Sequence, residues 1–135
     1  MTDNVIPEDV RQFILENIDS IAQLEGLLLL RADPQLKLSI TQIAERLYIS
    51  ASETQTLFDQ LRDRGFLIRD NQSQLYSYQP LSAELGAMVE KISGIYRRYL
   101  LSVTHLVHSK SKLRVQEFAN AFRLFFYHKF ACDTC

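Results

Sequence analysis

The chain has 135 residues, 47% of them hydrophobic and 23% charged, with four glycines and three prolines. That is the size and make-up of one ordered, helix-rich domain, and it excludes a disordered or fibrous polymer. The formal net charge of −1 excludes a uniformly cationic nucleic-acid binder.

The charge is unevenly spread. Residues 1–25 carry six acids against Arg11 alone, whereas residues 91–135 carry eight Lys and Arg against Glu117 and Asp133. The longest apolar run, Leu27 to Leu30, is far too short to span a bilayer, so no integral membrane segment is expected. The acidic N-terminus MTDNVIPEDV lacks the basic and apolar regions of a secretory leader, which predicts a cytoplasmic protein. Both cysteines lie in the last four residues, so no disulfide framework is implied.

Pro7 followed by Glu8 and Asp9 reads as the first turn of a helix, with acids at its positive end. Val10, Phe13, Ile14 and Ile18 continue at helical spacing. A second helix starts at Asp19 or Ser20 and runs to Arg31. Leucines cover most of its surface, which predicts the central, most buried helix. Ala32-Asp33-Pro34 ends it. Leu36-Lys37-Leu38 alternates like a short strand, and Ser39 or Ile40 leads into a helix over 41–47 with Ile43, Ala44 and Leu47 inward. The turn Tyr48-Ile49-Ser50 precedes a helix from Ser52 to Arg64, with Thr54, Leu57, Phe58 and Leu61 inward. Gly65 suits a left-handed position just past a helix end. Phe66–Arg69 and Gln74–Tyr78 are strand-like, with the turn Asp70-Asn71-Gln72-Ser73 between them.

Over residues 19–79 this order resembles a winged helix-turn-helix. Ile40 to Ser50 resembles the first half of a helix-turn-helix, with Ala44 small enough for two helices to cross closely. Leu61-Arg62-Asp63-Arg64-Gly65-Phe66-Leu67 resembles the end of the recognition helix in MarR-like bacterial transcriptional regulators. Phe118 to Arg123 resembles a short C-terminal motif of small bacterial winged-helix proteins. The expected fold class is mostly α with a small β-hairpin wing, a winged helix-turn-helix plus a long C-terminal helix. Residues 1–80 form the winged-helix domain with its N-terminal helix, and 81–135 form a helical dimerisation or tail region.

The resemblance implies a homodimer that binds double-stranded DNA and regulates transcription, with the outward face of the second motif helix in the major groove. The DNA-binding residues expected are Ser52, Gln55, Thr56 and Gln60 on that helix, Arg69 on the wing strand and Asn71 at the wing tip. Gln55 can pair bidentately with adenine, and Ser and Thr can contact bases or phosphates. Arg62, Arg64 and Arg69 are the local candidates for phosphate contact. MarR-type regulators usually carry arginines where this chain has Thr56 and Gln60, and an acidic–basic motif in the wing where this chain offers only Arg69.

From Ser82 to about His108, Leu81, Leu85, Met88, Ile92, Ile95, Tyr99 and Leu106 follow a 4-3-4-3 spacing with Ser102 as a polar interruption, widened by Val89, Tyr96, Leu100, Val103 and Val107. A continuous helix over 82–108 is roughly 40 Å long and predicts a homodimer through this stripe. Residues 110–130 read as a basic aromatic helix. That segment raises an alternative function, an adaptor that holds a protein partner or lies on an anionic membrane surface. His128, Cys132 and Cys135 resemble part of a zinc site but fall one ligand short, so no metal is expected. No cofactor fingerprint, nucleophile motif or phosphate loop occurs, so no enzymatic activity is expected.

Overall fold

The computed structural model of the chain describes residues 5–110. Helix α1 (Glu8–Asn17) follows Pro7 and has Glu8 and Asp9 in its first turn. Val10, Ile14 and Ile18 recur every fourth residue and are fully buried, which is the stripe a helix lying on a core must carry. Helix α2 (Ile21–Ala32) is capped by Ser20, whose hydroxyl accepts from the Gln23 backbone N–H. Leu24, Leu27 and Leu30 fill its buried face. Gly26 has a specific job there: a Cβ at this position would lie 2.3 Å from Cζ of Phe58 on α4. The close helix crossing thus rests on Gly26 of α2, whereas the sequence had offered only Ala44.

Helix α3 (Ile40–Leu47) opens with a capping box in which Ser39 and Gln42 each bond the other's backbone N–H. Tyr48 ends it in the left-handed region at φ 58° and lies 93% exposed. Helix α4 (Ala51–Asp63) then starts one residue earlier than expected, because Ser50 is the cap and accepts from the Glu53 backbone N–H. All four residues expected to face inward, Thr54, Leu57, Phe58 and Leu61, are buried. Gly65 takes φ 89°, and Phe66 N–H closes back on the Leu61 carbonyl at 3.0 Å, the helix exit that only glycine makes without strain.

The wing is an antiparallel pair, β1 (Leu67–Arg69) with β2 (Tyr76–Tyr78), in the register Leu67↔Tyr78, Ile68↔Ser77 and Arg69↔Tyr76. Leu38 joins β2 through a single bridge to Tyr76, with bonds of 3.0 and 2.8 Å. The expected strand over 36–38 is therefore one paired residue. The Asp70 carboxylate accepts from the Gln72 and Ser73 backbone N–H groups, and Gln74 exits the turn at φ 60°.

Beyond the wing the structure departs from the expectation of one continuous helix over 82–108. Helix α5 (Ala83–Arg98) stops at Tyr99, whose backbone turns to φ −126° and ψ 53°. Helical structure resumes over residues 100–110, here called α6 as far as the described residues reach. The break lets both segments pack on the chain's own core. Val89, Ile92 and Tyr96 of α5, and Val103, Leu106 and Val107 of α6, are buried in one cluster with α1, α2 and α4. Lys110 seals the return, donating from Nζ to the Ile18 carbonyl at 3.1 Å and to Asp19 at 2.9 Å. Ile92 is therefore a core residue of the same chain. The outer side of the junction keeps Leu100 and Leu101 exposed, at 50% and 73%.

No helix among the described residues is long and apolar enough to cross a membrane. The basic aromatic segment, apart from Lys110, and the His128, Cys132, Cys135 motif lie outside the described residues.

Candidate nucleic-acid interface

The capping residues Ser39 and Ser50 bring the N-termini of α3 and α4 to one groove beside the wing. Ser39, Thr41, Ser52, Gln55, Arg69, Ser73 and Tyr76 are among the residues lining it, around a volume of about 530 Å³. Two helix starts present unpaired backbone N–H groups and positive dipole ends to the same space. Arg69 adds a full charge there and forms no ion pair among the described residues. An anion is the group such a groove accommodates.

Of the six residues expected at an interface, Ser52, Gln55 and Thr56 are exposed on α4, Asn71 is exposed at the wing tip, and Arg69 is half-buried beside the groove. The odd one is Gln60. It is half-buried, and its Oε1 accepts from Nε2 of the fully buried Gln23 at 3.0 Å. Gln23 also donates to the Leu57 carbonyl at 3.1 Å, and its own Oε1 accepts from the Asp19 backbone N–H at 2.7 Å. Gln60 thus fastens α4 to α2, while Gln55 and Thr56 lie outward.

Gln55 is tied down on its own side. Its Nε2 donates to both carboxylate oxygens of Asp59, at 2.9 and 3.0 Å, and to the Tyr76 hydroxyl oxygen at 3.0 Å. The Tyr76 hydroxyl in turn donates to Asp59 at 2.8 Å. The Tyr76 ring is buried edge-on against Phe58, with centroids 6.1 Å apart. These bonds tie α4 to β2 of the wing. Burial would raise the Asp59 carboxyl, but donation from Tyr76 and Gln55, with Arg62 and Arg69 nearby, leaves it below the usual carboxylate range. The Thr56 hydroxyl donates back to the Ser52 carbonyl at 3.2 Å.

The positive charges are fewer than the sequence suggested. Arg64 points away from the groove and bonds the Asn17 carbonyl and Asp19, the latter at 2.8 Å. It is a structural residue, because its charge neutralises a half-buried acid. Arg62 lies 3.9 Å from Asp59 and 3.8 Å from Asp63. Arg69 is left as the unpaired arginine of the three. The roles of Ser39 and Tyr76 were missed by sequence reasoning. The S-x-x-Q pattern from Ser39 to Gln42 carried the first as a capping box. Nothing local carried the second.

Among the described residues, no group of three or more His, Cys, Asp or Glu is placed to hold a metal ion. No protein-family model matches the chain, and no curated protein is similar to it in sequence. Solved structures do resemble it. The Staphylococcus aureus MepR–DNA complex aligns over 82% of this chain and 86% of its own at 16% identity, with a TM-score of 0.51. MepR, described as a transcription regulator of the multidrug efflux pump MepA, aligns in a second structure over 85% and 88% at 15% identity, with a TM-score of 0.50. At these identities the likeness establishes the fold, a winged helix of the MarR type.

Proposed function

We propose that the chain is a DNA-binding transcriptional regulator, acting in the cytoplasm as a homodimer and without enzymatic activity. One observation carries the reading. The starts of α3 and α4 and the side chain of Arg69 converge on one groove, directly beside an exposed polar row on α4. A phosphate held at the groove would set the register, and the row on α4 would face base edges. Ser52, Gln55 and Thr56 supply the base-facing row, Arg69 holds the backbone, and Asn71 reaches the adjacent minor groove. Gln60 supports the helix from behind. That the MepR chain with the same fold is bound to DNA supports this placement. The dimer contact falls to the part of 82–108 that remains exposed, around Leu100 and Leu101.

With Arg69 the one of Arg62, Arg64 and Arg69 left unpaired, few phosphates are neutralised from α4 and the wing, and the salt dependence of binding is shallow. The test is duplex binding by the full chain at low and moderate salt, combined with selection from random DNA. The expected result is an enriched sequence with two-fold symmetry and a shallow slope of log affinity against log salt. Arg69→Ala is expected to weaken all duplexes alike and lower the slope by about one per subunit. Selection that enriches nothing at low salt overturns the reading.

A further inference from the structure

A free glutamine offers a donor and an acceptor side by side, which is how it pairs with adenine. Gln55 is not free. The Asp59 carboxylate is ionised and can only accept, so the Gln55 atom facing it is the nitrogen. One hydrogen of Nε2 goes to Asp59 and the other to the Tyr76 hydroxyl oxygen. The Tyr76 proton is itself committed to Asp59. What Gln55 shows to solvent is Oε1, which has no partner among the described residues. Thr56 repeats the pattern, since its hydroxyl proton is spent on the Ser52 carbonyl and only oxygen lone pairs face out. The outward row of Gln55, Thr56 and Asp59 is a row of acceptors.

In the major groove cytosine presents only the N4 amino donor, and adenine presents the N6 amino donor beside N7. Guanine and thymine present acceptors there. Acceptor against acceptor is repulsive and leaves both groups desolvated without a partner. We propose that the Asp59–Tyr76 clamp makes Gln55 a reader of exocyclic amino groups, selecting cytosine or adenine and rejecting guanine and thymine at the base it faces. This deepens the DNA-binding reading and rests on it. It also replaces the bidentate adenine contact expected from sequence, because the hydrogen needed for adenine N7 is already used.

The experiment is selection from random duplexes by the full-length protein, followed by competition at each position. Gln55→Ala identifies the base that Gln55 faces, as the position whose preference disappears. At that position the wild type is expected to favour cytosine and adenine over guanine and thymine by about tenfold, with cytosine and adenine nearly equal. Asp59→Ala unclamps Nε2 and is expected to shift the same position toward adenine alone. Tyr76→Phe keeps the buried ring and removes only the hydroxyl, freeing one hydrogen for the same shift, so the test survives a poorly folded Asp59 variant. Guanine or thymine at the Gln55-dependent position overturns the proposal while leaving DNA binding intact. So does an unchanged preference in both folded clamp variants. A wild type that enriches no sequence removes the DNA-binding reading itself, and the proposal with it.

Discussion

Asp19 sits at the corner between α1 and α2 and holds two cations at once, Arg64 at the end of α4 and Lys110 at the end of the described part of α6, at 2.8 and 2.9 Å. Its side chain is 13% exposed, that of Lys110 10% and that of Arg64 27%. Burial raises the Asp19 carboxyl, but the hydrogen bonds from Lys110 and Arg64 together with their charges outweigh it and hold the group at about 2, against an ordinary value of 3.8. Each unit of such a shift corresponds to about 1.4 kcal/mol between the protonated and ionised forms, so the ionised group contributes roughly 2–3 kcal/mol here. Asp19→Asn removes that charge and strands a buried ammonium, which loses up to ~5 kcal/mol in fully buried pairs. With these partly exposed partners, the expected loss is about 2–4 kcal/mol at pH 7.

The sign of the pH dependence follows from the lowered value. The contribution is complete above about pH 4, the unfolded carboxylate's range, and is lost as pH falls through about 2. Urea unfolding of wild type and Asp19→Asn from pH 7 down to pH 2 is the assay. The two midpoints should differ widely at pH 7, draw together as pH falls below about 4, and nearly coincide only at about pH 2. Adding Lys110→Met to Asp19→Asn should recover at least about 1 kcal/mol, because the stranded cation goes with it. A loss below about 0.5 kcal/mol at pH 7, the size typical of a surface pair, would refute the reasoning. A difference that stays constant with pH would do the same.

Gly26→Ala puts a Cβ 2.3 Å from Phe58 Cζ and 3.2 Å from Leu47 Cδ1. Thermal unfolding should show a loss of about 1–3 kcal/mol despite alanine's better helix propensity, and an unchanged midpoint would mean that the α2–α4 crossing relaxes. Ile92→Asp tests the fold and not the dimer, since Ile92 is fully buried within its own chain. Leu100→Glu with Leu101→Glu should instead give a folded monomer by sedimentation at micromolar concentration, and a persisting dimer would place the interface elsewhere. Cys132→Ser with Cys135→Ser should leave stability unchanged. Stoichiometric zinc in the wild type that vanishes in that variant would contradict this.

What was legible in the sequence was local. Ser20 and Gly65 announce a helix start and a helix end because a cap and a left-handed exit are chosen by residues within one turn. The buried face of α4 follows from period alone. The start of α4 was misplaced by one residue because Ser50 and Ser52 are both good caps, and the tight turn after the left-handed Tyr48 decides between them. The break at Tyr99 carries no breaker residue, since no proline or glycine lies within four residues of it, and the polar Ser102 alone interrupts the apolar stripe nearby. It is set by where Val103, Leu106, Val107 and Lys110 find partners, and those partners include Ile18 and Asp19, some 90 residues away in the chain. The Asp19 cluster is invisible for the same reason.

The candidate site divides along the same line. Helical periodicity turned Ser52, Gln55 and Thr56 outward, and the structure agrees. It also turned Gln60 outward, where the residue is half-buried and its Oε1 is held by Gln23 on another helix. A residue list cannot say which hydrogens remain free, because Gln55 is fixed partly by Tyr76 on a strand 21 positions later. Nor can it say which cations remain free. Arg62 and Arg64 count equally with Arg69 in the sequence, yet both are engaged with acids of the same chain. The consequence for binding is quantitative in direction. Attraction between cations and phosphates supplies essentially all non-specific affinity, so withdrawing two of three arginines weakens binding to every sequence equally. Base-edge contacts on α4 are untouched by that withdrawal. The ratio of specific to non-specific affinity, the quantity that matters among a genome's competing sites, is therefore left to the base-edge contacts on α4, while the absolute affinity for every site falls with the unpaired charge.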